Sequence, residues 1–332
     1  MKATGQRDNS LDTLKLVLIF FVVYGHVVEE FGTDGTLGTI RAMIYCFHMP
    51  VFVFLSGYFS KEVNPRGILE SFLLPFLLFN TVFSLMIGNL HFLTPKYLYW
   101  YLLSLFFWRL LLTTISEPQK AFIPCLLLGL YVGFLSEADR FLAISRTICF
   151  FPFFIAGVMV TERTLNRIRE IPSIIAWICI LIVEAVVIAM DTLRFMPAKI
   201  YEHIEGYAST FDRIGYSPIY MGGVLRLVAY AIGFIMIVLV LSLTKKGKQE
   251  SCFSVWGRRT ISILVFSGFF VKGLFMAIQL IGANYKSLQW YIVVPIAVPI
   301  SIFVTLICGN KLVYSLYMAI MKRFGMALVR GR

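Results

Sequence analysis

The sequence predicts an all-α protein that lies in a membrane and crosses it about ten times. Hydrophobic residues make up 59% of the 332 residues and charged residues only 14%, with a mean hydropathy of +0.81. A soluble domain of this length is far more polar. The apolar residues gather in stretches of about 20, the length that a helix needs to cross the hydrocarbon core. The aromatic share of 16%, with 31 Phe, suits lipid-facing surfaces and interfacial belts.

These stretches predict ten helices in one membrane domain that covers residues 1–332. In chain order they are 13–31, 38–60, 67–89, 97–115, 121–136, 145–161, 173–190, 220–243, 261–281 and 288–309. The fifth and sixth are short and are separated by the segment EADRFLAIS. Residues 313–332 predict an interfacial cytoplasmic tail. The longest connection, residues 191–219, is either a carbohydrate-binding loop or a solvated connector.

The distribution of Lys and Arg predicts the orientation. If the N-terminus is cytoplasmic, eighteen of the 30 cationic residues lie in inside segments, seven lie in outside segments and five lie in spans. Because cytoplasmic loops carry the excess of cations, both termini are expected in the cytoplasm. The net charge of +12 then reflects topology. Nucleic acid is not an expected partner, because the cations do not form one patch interleaved with aromatic residues.

The six cysteines predict free thiols. They form no Cys-x2-Cys pair and no cluster with His, so neither a disulfide framework nor a metal site is expected. The first apolar stretch lacks a small-residue cleavage site and contains ionisable residues, so it is expected to be a span and not a cleavable signal.

That first helix carries a polar stripe along an otherwise apolar surface. Lys15 and His26 are eleven residues apart, which at about 100° per residue returns almost to the same azimuth. Asp12 and Glu30 fall within about 40° of that line. Ionisable side chains in a span are costly and usually face a cavity or a partner. The simpler alternatives are a snorkelling Lys and a hydrogen-bonded packing His.

A second polar group lies in the next helix, in YCFHMPVFVFLSGYF (45–59). His48 is close to Pro50, and a Pro inside a span loosens the backbone hydrogen-bond ladder and permits a kink. A kink leaves room for a ligand. The alternative is a lipid-packed helix with an incidental His.

Together these two segments resemble the acyltransferase-3 family of membrane O-acyltransferases, including its fucose 4-O-acetylase-like members. The resemblance rests on an Arg/Lys-x10-His pattern, here Lys15 and His26 in LDTLKLVLIFFVVYGH, followed by FHMPVFVFLSGYF. It continues more weakly in WYLLSLFFWRL (100–110), FFPFFIAGVM (150–159) and GRRTISILVFSG (257–268). In one departure, Ser267 stands where many relatives carry His.

The resemblance implies transfer of an acetyl or similar acyl group from acyl-CoA to a hydroxyl of a cell-surface glycan or its lipid-linked precursor. It implies that His26 is the catalytic residue, that Lys15 handles the acyl donor, and that His48 is a second active-site residue. It also implies a location in the bacterial inner membrane. Membrane lipids and the glycan acceptor are the other expected partners.

The residues themselves suggest how such a site would work. A neutral imidazole can accept a proton from a hydroxyl near neutral pH. Glu30, one turn after His26, is the candidate to orient it, with Glu29 as the alternative. The phosphates of acetyl-CoA need cations at a cytoplasmic mouth. The candidate substrate-binding residues are Lys15 with Asp12, Arg258 at the inner end of the ninth helix, and two cations within spans, Arg109 and Lys272.

Two other classes of protein remain as alternatives. A secondary transporter would use Lys15, His26, Glu30, His48, Glu184 and Lys272 as a proton or substrate pathway, but no pair of inverted repeats is visible. In a non-catalytic scaffold the polar residues would only bond helices together. The intramembrane cations outnumber Glu184, and an anionic ligand in a shared polar interior would balance them.

Overall fold

The computed structural model describes residues 8–60, 65–90, 92–135, 141–204, 206–208, 219–247 and 249–330. Within these ranges the regular structure is helical and no strand occurs, which confirms the predicted all-α class. Parts of four predicted regions lie outside the described residues. They are residues 1–7, residues 136–140 of the connection before the sixth helix, residues 205 and 209–218 of the long loop, and residues 331–332 of the tail.

Every predicted span corresponds to a helix. In the described ranges the helices of at least eleven residues are α1 Asn9–Phe31, α2 Gly35–Tyr45, α3 His48–Tyr58, α4 Leu69–Met86, α5 Trp100–Leu112, α6 Pro118–Tyr131, α7 Ile144–Met159, α8 Ser173–Thr192, α9 Ile219–Ser242, α10 Thr260–Leu280, α11 Trp290–Gly309 and α12 Lys311–Arg330.

Eight helical segments of the described chain are long and apolar enough to cross a membrane. They are α1, α2 with α3 as one broken span (Gly35–Tyr58), α4, α7 with the turn before it, and α8 to α11. The helices α5 and α6 are apolar but shorter. The chain is therefore an integral membrane protein, in which two of the ten predicted apolar segments fall short of a full span.

The first helix forms the centre of the bundle. It packs against α2, α3, α10, α11 and the short helix Cys252–Gly257. This last contact is so close that a Cβ on Gly257 would lie 1.7 Å from the carbonyl oxygen of Asp12. The helix α8 lies at the periphery and presents mainly exposed apolar side chains, as a lipid-facing helix does. The polar stripe of α1 therefore faces protein.

A second close crossing joins α3 to α7. A Cβ on Gly57 would lie 1.9 Å from the carbonyl oxygen of Phe154, and one on Gly157 would lie 2.0 Å from that of Phe54. Small residues let two backbones approach in a membrane. The SGYF end of the second motif is thus a packing feature that holds α3 in place beside the site.

The C-terminal helix α12 begins where the tail was predicted. Its Tyr317 is buried and stacks on Phe79 of α4, with ring centroids 6.1 Å apart. The described part of the tail therefore packs against the bundle. Residues 331–332 of the predicted tail lie outside the described residues.

Candidate active site

The polar stripe of α1 runs between two cavities. We call the face of the protein at which α1 begins the N face and the opposite face the far face. Lys15 lies toward the N face and His26 toward the far face, about 16 Å apart along the helix axis. Asp12 is buried, and its Oδ1 accepts from Nζ of Lys15 at 2.6 Å. The Lys15 side chain is thereby fixed and not free to snorkel.

The proximal vestibule, a cavity of about 490 Å³, lies at the N face. Lys15 and Arg109 both line it, with Lys15 Nζ 4.9 Å from the ring centroid of Phe59. Nε of Arg109 donates to Oγ of Ser60 at 2.8 Å. Two cations on a mostly apolar wall suit an anionic ligand with a long apolar or flexible part. The remaining lining residues are Phe52, Ser56, Phe72, Tyr101, Leu102, Leu105, Thr260, Ile261 and Leu264.

A constriction with free volume of only about 20 Å³ follows deeper in the bundle. It shares Phe52, Tyr101 and Leu264 with the proximal vestibule, and both His26 and His48 line it. The structure thus brings the two histidines to one place. The free volume holds about one water molecule, so the constriction separates the two sides until a side chain moves.

His48, which lines the constriction, also has a local structural role. The helix is interrupted at residues 46–47, just before Pro50, because the Pro ring would clash with the carbonyl of Cys46 in an unbroken helix. Nδ1 of His48 donates to the carbonyl oxygen of Ile44 at 2.6 Å. The side chain therefore caps the break, and its Nε2 is left as an acceptor.

The distal vestibule, of about 270 Å³, lies at the far face. It shares His26, Tyr45, Trp100 and several further residues with the constriction, so that His26 lies where the two meet. The vestibule is far more polar than the proximal one for its size. It is lined by His26, Glu29, Tyr45, Thr94, Pro95, Lys96, Tyr97, Trp100, Ala143, Arg146, Glu202 and Ile204.

A chain of charged groups holds His26 in the distal vestibule. Nδ1 of His26 donates to Oε2 of Glu29 at 3.0 Å. The other oxygen of Glu29 is 3.5 Å from Nη2 of Arg41, and the same nitrogen donates to Oε1 of Glu202 at 2.5 Å. With Nδ1 donating to a carboxylate, Nε2 of His26 carries the lone pair that a base needs.

Glu202 and His203 connect this network to the loop after α8. Burial raises the pKa of the Glu202 carboxyl above its ordinary value, although the Arg41 guanidinium opposes the shift. His203 is buried beside Phe150, with ring centroids 4.8 Å apart. Burial, with the nearby Arg226 and Arg146, lowers the pKa of His203 well below its ordinary value. His203 is thus a neutral packing residue.

Glu30 does not orient His26, contrary to the prediction from the sequence. Glu30 forms an ion pair with Lys272 of α10, whereas Glu29 contacts His26. Both acids are one turn from His26, but α10 packs on the side of α1 that Glu30 faces, and Lys272 takes that carboxylate. Lys272 is therefore occupied at the far face and lies outside the lining of both vestibules.

The other predicted ligand-binding cation, Arg258, lies at the N face. Its guanidinium pairs with Glu250, and Nη1 donates to Oδ1 of Asn9 at 3.3 Å. It borders the proximal vestibule through Thr260 but does not line it. Its contacts fix the start of α10 against the start of α1.

The intramembrane ionisable residues do not share one polar interior as the sequence suggested. Arg109 lines the proximal vestibule, and Lys272 pairs with Glu30. Arg226 is buried with its guanidinium 4.5 Å from the ring centroid of Tyr207. Glu184 lines a separate, largely apolar groove of about 720 Å³ between α1, α8 and α9. These four residues lie in different parts of the bundle, so their charges do not form one site.

Four residues of the site lie outside those predicted from the sequence, namely Arg41, Arg146, Glu202 and Tyr97. Nε of Arg146 donates to the carbonyl oxygen of Glu202 at 3.2 Å, and its guanidinium lies 4.6 Å from the ring centroid of Trp100. One signal was present, since Arg41 is a cation within a predicted span. Ser267, the departure from the family pattern, is buried in α10 and lies outside the lining of these cavities.

Comparison with known proteins gives two matches and one negative result. Residues 8–87 match the family model of the acyltransferase-3 family, described as an acyltransferase domain. Nodulation protein NolL of Mesorhizobium japonicum is 40% identical over 62 residues, which cover 18% of this chain and 17% of that protein. No solved structure matches. Residues 8–87, which contain Lys15, His26 and His48, are therefore similar to the acyltransferase domain of the acyltransferase-3 family, as the sequence motifs predicted.

Proposed function

We propose that the protein is a membrane O-acyltransferase that moves an acetyl or similar acyl group from acyl-CoA to a hydroxyl of a cell-surface glycan or its lipid-linked precursor. The observation that supports this most is the position of His26. It lies where the distal vestibule meets the constriction that leads to the proximal vestibule, with its Nδ1 fixed by Glu29. The family match at residues 8–87 supports the same reaction class.

The proximal vestibule suits the acyl donor. Acyl-CoA is a polyphosphate with a long flexible arm that ends in the thioester, so its binding site needs cations at the mouth and an apolar path inward. Lys15 and Arg109 supply the cations, and Phe52, Leu105 and Leu264 supply apolar walls. Lys acts as a point charge and Arg as a planar fork for phosphate. The N face would then be the cytoplasmic face, in agreement with the excess of cations predicted there.

The distal vestibule suits the acceptor. Its volume of about 270 Å³ and its mixture of Trp100, Tyr97, Arg146 and Glu202 fit a sugar ring, which needs both stacking surfaces and hydrogen-bond partners. The constriction between the vestibules has room for about one water molecule. A small acyl group is favoured there, and hydrolysis of the thioester by bulk water is suppressed.

In this mechanism Nε2 of His26 takes the proton of the acceptor hydroxyl as its oxygen attacks the thioester carbonyl. Glu29 holds the ring in the required tautomer and stabilises the imidazolium that forms, and Arg41 holds Glu29. A new C–O bond replaces the C–S bond, and the proton on His26 passes to the departing thiolate. His48, with a free Nε2 in the constriction, is placed to contact the acyl group.

The test is acceptor-dependent release of CoA thiol from acetyl-CoA by the purified protein, with an extract of bacterial lipid-linked glycans. We expect release by the wild type and a loss of roughly 10²–10⁴-fold in His26→Ala, which is the usual contribution of a general base. Lys120→Ala, at an exposed ion pair with Glu117, is the control. An unchanged rate in folded His26→Ala would exclude His26 as the base.

A secondary transporter is the second candidate. Two vestibules separated by a narrow constriction would also suit alternating access. The two functions predict different products: a transporter moves its substrate unchanged, whereas the acyltransferase yields CoA thiol and an acylated glycan in equal amounts. Specific stabilisation of the purified protein by acetyl-CoA against heat would further favour the enzyme. The family resemblance favours a bacterial inner membrane as its location.

A further inference from the structure

Tyr97 lies against the candidate base, His26. Its backbone has a conformation that residues with bulky side chains rarely adopt. Its ring centroid is 4.3 Å from that of His26, and it lines the distal vestibule. Its φ is 54°, in the left-handed region that a bulky residue enters only under constraint. Such outliers concentrate where a side chain must be aimed at a ligand.

The surroundings hold the ring in this place. Tyr97 also stacks on Phe83, with ring centroids 5.6 Å apart. Gly268 of α10 makes room for it, because a Cβ there would lie 2.9 Å from Cδ1 of Tyr97. The loop before it is fixed by Asn80, whose Oδ1 accepts from the backbone N–H of Lys96 at 2.8 Å. The position of Tyr97 is therefore determined from three sides.

The hydroxyl of Tyr97 is buried and has no hydrogen-bond partner among the described residues. Other buried tyrosine hydroxyls near it are satisfied. That of Tyr99 donates to the carbonyl oxygen of Val265 at 2.8 Å, and that of Tyr101 bonds to Oγ of Ser56 at 2.5 Å. A buried donor without a partner is unfavourable unless a ligand supplies the acceptor.

We propose that Tyr97 is a further catalytic residue, whose hydroxyl donates a hydrogen bond to the acyl carbonyl oxygen during transfer at His26. This inference rests on the proposed function. When the acceptor oxygen bonds to the acyl carbon, the C=O electron pair moves onto the carbonyl oxygen. The phenol stabilises that negative charge without giving up its proton. The pair then returns as the C–S bond breaks, and the thiolate takes the proton held on His26.

The phenol is suited to this role because its ordinary pKa, about 10, keeps it protonated at neutral pH. A donor placed before the reaction, in a site closed to water, stabilises the transition state more than the ground state. Loss of such a donor therefore lowers kcat and leaves substrate binding largely intact.

The experiment compares Tyr97→Phe with Tyr99→Phe in the thiol-release assay, alongside thermal melting of each purified protein. Tyr97→Phe keeps the stacked ring and removes only an unpartnered hydroxyl. We expect a fall in kcat of roughly 100-fold or more, a KM for acetyl-CoA within about threefold of the wild type, and an unchanged or higher Tm. Tyr99→Phe removes the hydroxyl that donates to the carbonyl of Val265, so its Tm should fall while kcat stays within about threefold.

Three results would overturn the inference. If the wild type is active and Tyr97→Phe retains its kcat, the hydroxyl has no part in the reaction, while the proposed function stands. A loss of activity in Tyr97→Phe together with a fall in Tm would show that the hydroxyl has a structural partner. A wild type that releases no thiol with any acceptor fraction would remove the proposed function and this inference together.

Discussion

His26 and Glu29, three residues apart on α1, form a pair in which Nδ1 of the imidazole lies 3.0 Å from a carboxylate oxygen. The other oxygen of that carboxylate faces Arg41, which is itself bound to Glu202 from the loop after α8. The orientation of one side chain on the central helix is thus coupled to α2 and to a loop more than 170 positions away in sequence.

Replacing Glu29 by Gln should lower kcat by about 10- to 100-fold, because the ring loses its fixed tautomer and the imidazolium loses its counter-charge. The neighbouring variant Glu30→Gln is the matched comparison. It should lower the Tm by breaking the ion pair with Lys272, and it should keep most of the activity. Steady-state kinetics and thermal melting of both proteins check this. Equal losses of activity in the two variants would contradict the assignment of Glu29.

The cationic side chains of the proximal vestibule should increase the affinity for acetyl-CoA. Arg109→Gln removes a guanidinium that contacts Ser60 and the carbonyl of Phe59. We expect KM for acetyl-CoA to rise about tenfold, the value of one charge-assisted hydrogen bond, with kcat within about threefold. Lys15→Arg should keep most of the affinity. The effect should shrink as salt is raised. An unchanged KM would place the phosphates elsewhere.

The close crossing of α3 and α7 predicts a strong stability effect. Gly57→Ala and Gly157→Ala each place a methyl group within 2.0 Å of a carbonyl oxygen, so the helices must part. We expect a loss of about 2 kcal/mol or more. Gly273→Ala in α10 is the control, since nothing lies within 4 Å of its position. It should be neutral or more stable by up to about 1 kcal/mol. Thermal melting in detergent checks all three.

The buried His203 predicts a pH dependence of stability. Its folded pKa lies well below the ordinary 6.5 because of burial and of Arg226 and Arg146, so below pH 6.5 the unfolded chain binds a proton that the folded protein does not. Stability attributable to this group is complete above pH 6.5 and falls by about 1.4 kcal/mol per pH unit below it.

The variant His203→Asn isolates this contribution. Asn tolerates the left-handed backbone at this position, where φ is 53°, and it does not titrate. The wild type should lose stability relative to the variant between pH 6.5 and pH 5, and the two curves should run parallel above pH 7. Parallel curves over the whole range would mean that His203 is protonated to the same degree in both states.

Local patterns predicted most of the fold, whereas the site depends on contacts distant in sequence. Apolar stretches of span length located every helix of the described chain that is long and apolar enough to cross a membrane. The eleven-residue spacing of Lys15 and His26 placed them on one face. The choice between Glu29 and Glu30 could not be made from α1 alone, since both lie one turn from His26. It depends on Lys272, more than 240 positions later. The contact between Arg41 and Glu202 likewise joins residues that are distant in sequence.

The sequence also predicted a kink at Pro50, but it did not predict that His48 would bond to the backbone at the kink. The break occurs before the Pro, and His48 donates to the carbonyl of Ile44, which otherwise has only a long bond from the backbone N–H of Phe47 at 3.4 Å. Pattern alone cannot separate such a cap from a catalytic residue, because both place a His beside a Pro. The location of His48 in the constriction shows that the two roles are compatible.

In the proposed reaction, His26 serves a donor that enters from the N face and an acceptor that enters from the far face. The direct test uses proteoliposomes with acetyl-CoA outside and a glycan acceptor trapped inside. Cys252, exposed at the N face, reports by an impermeant maleimide what fraction of molecules turn that face outward. We predict acetylated glycan inside the vesicles, in proportion to that fraction and absent with His26→Ala. Product that forms only when donor and acceptor share one side would show that the two substrates do not reach His26 from opposite faces.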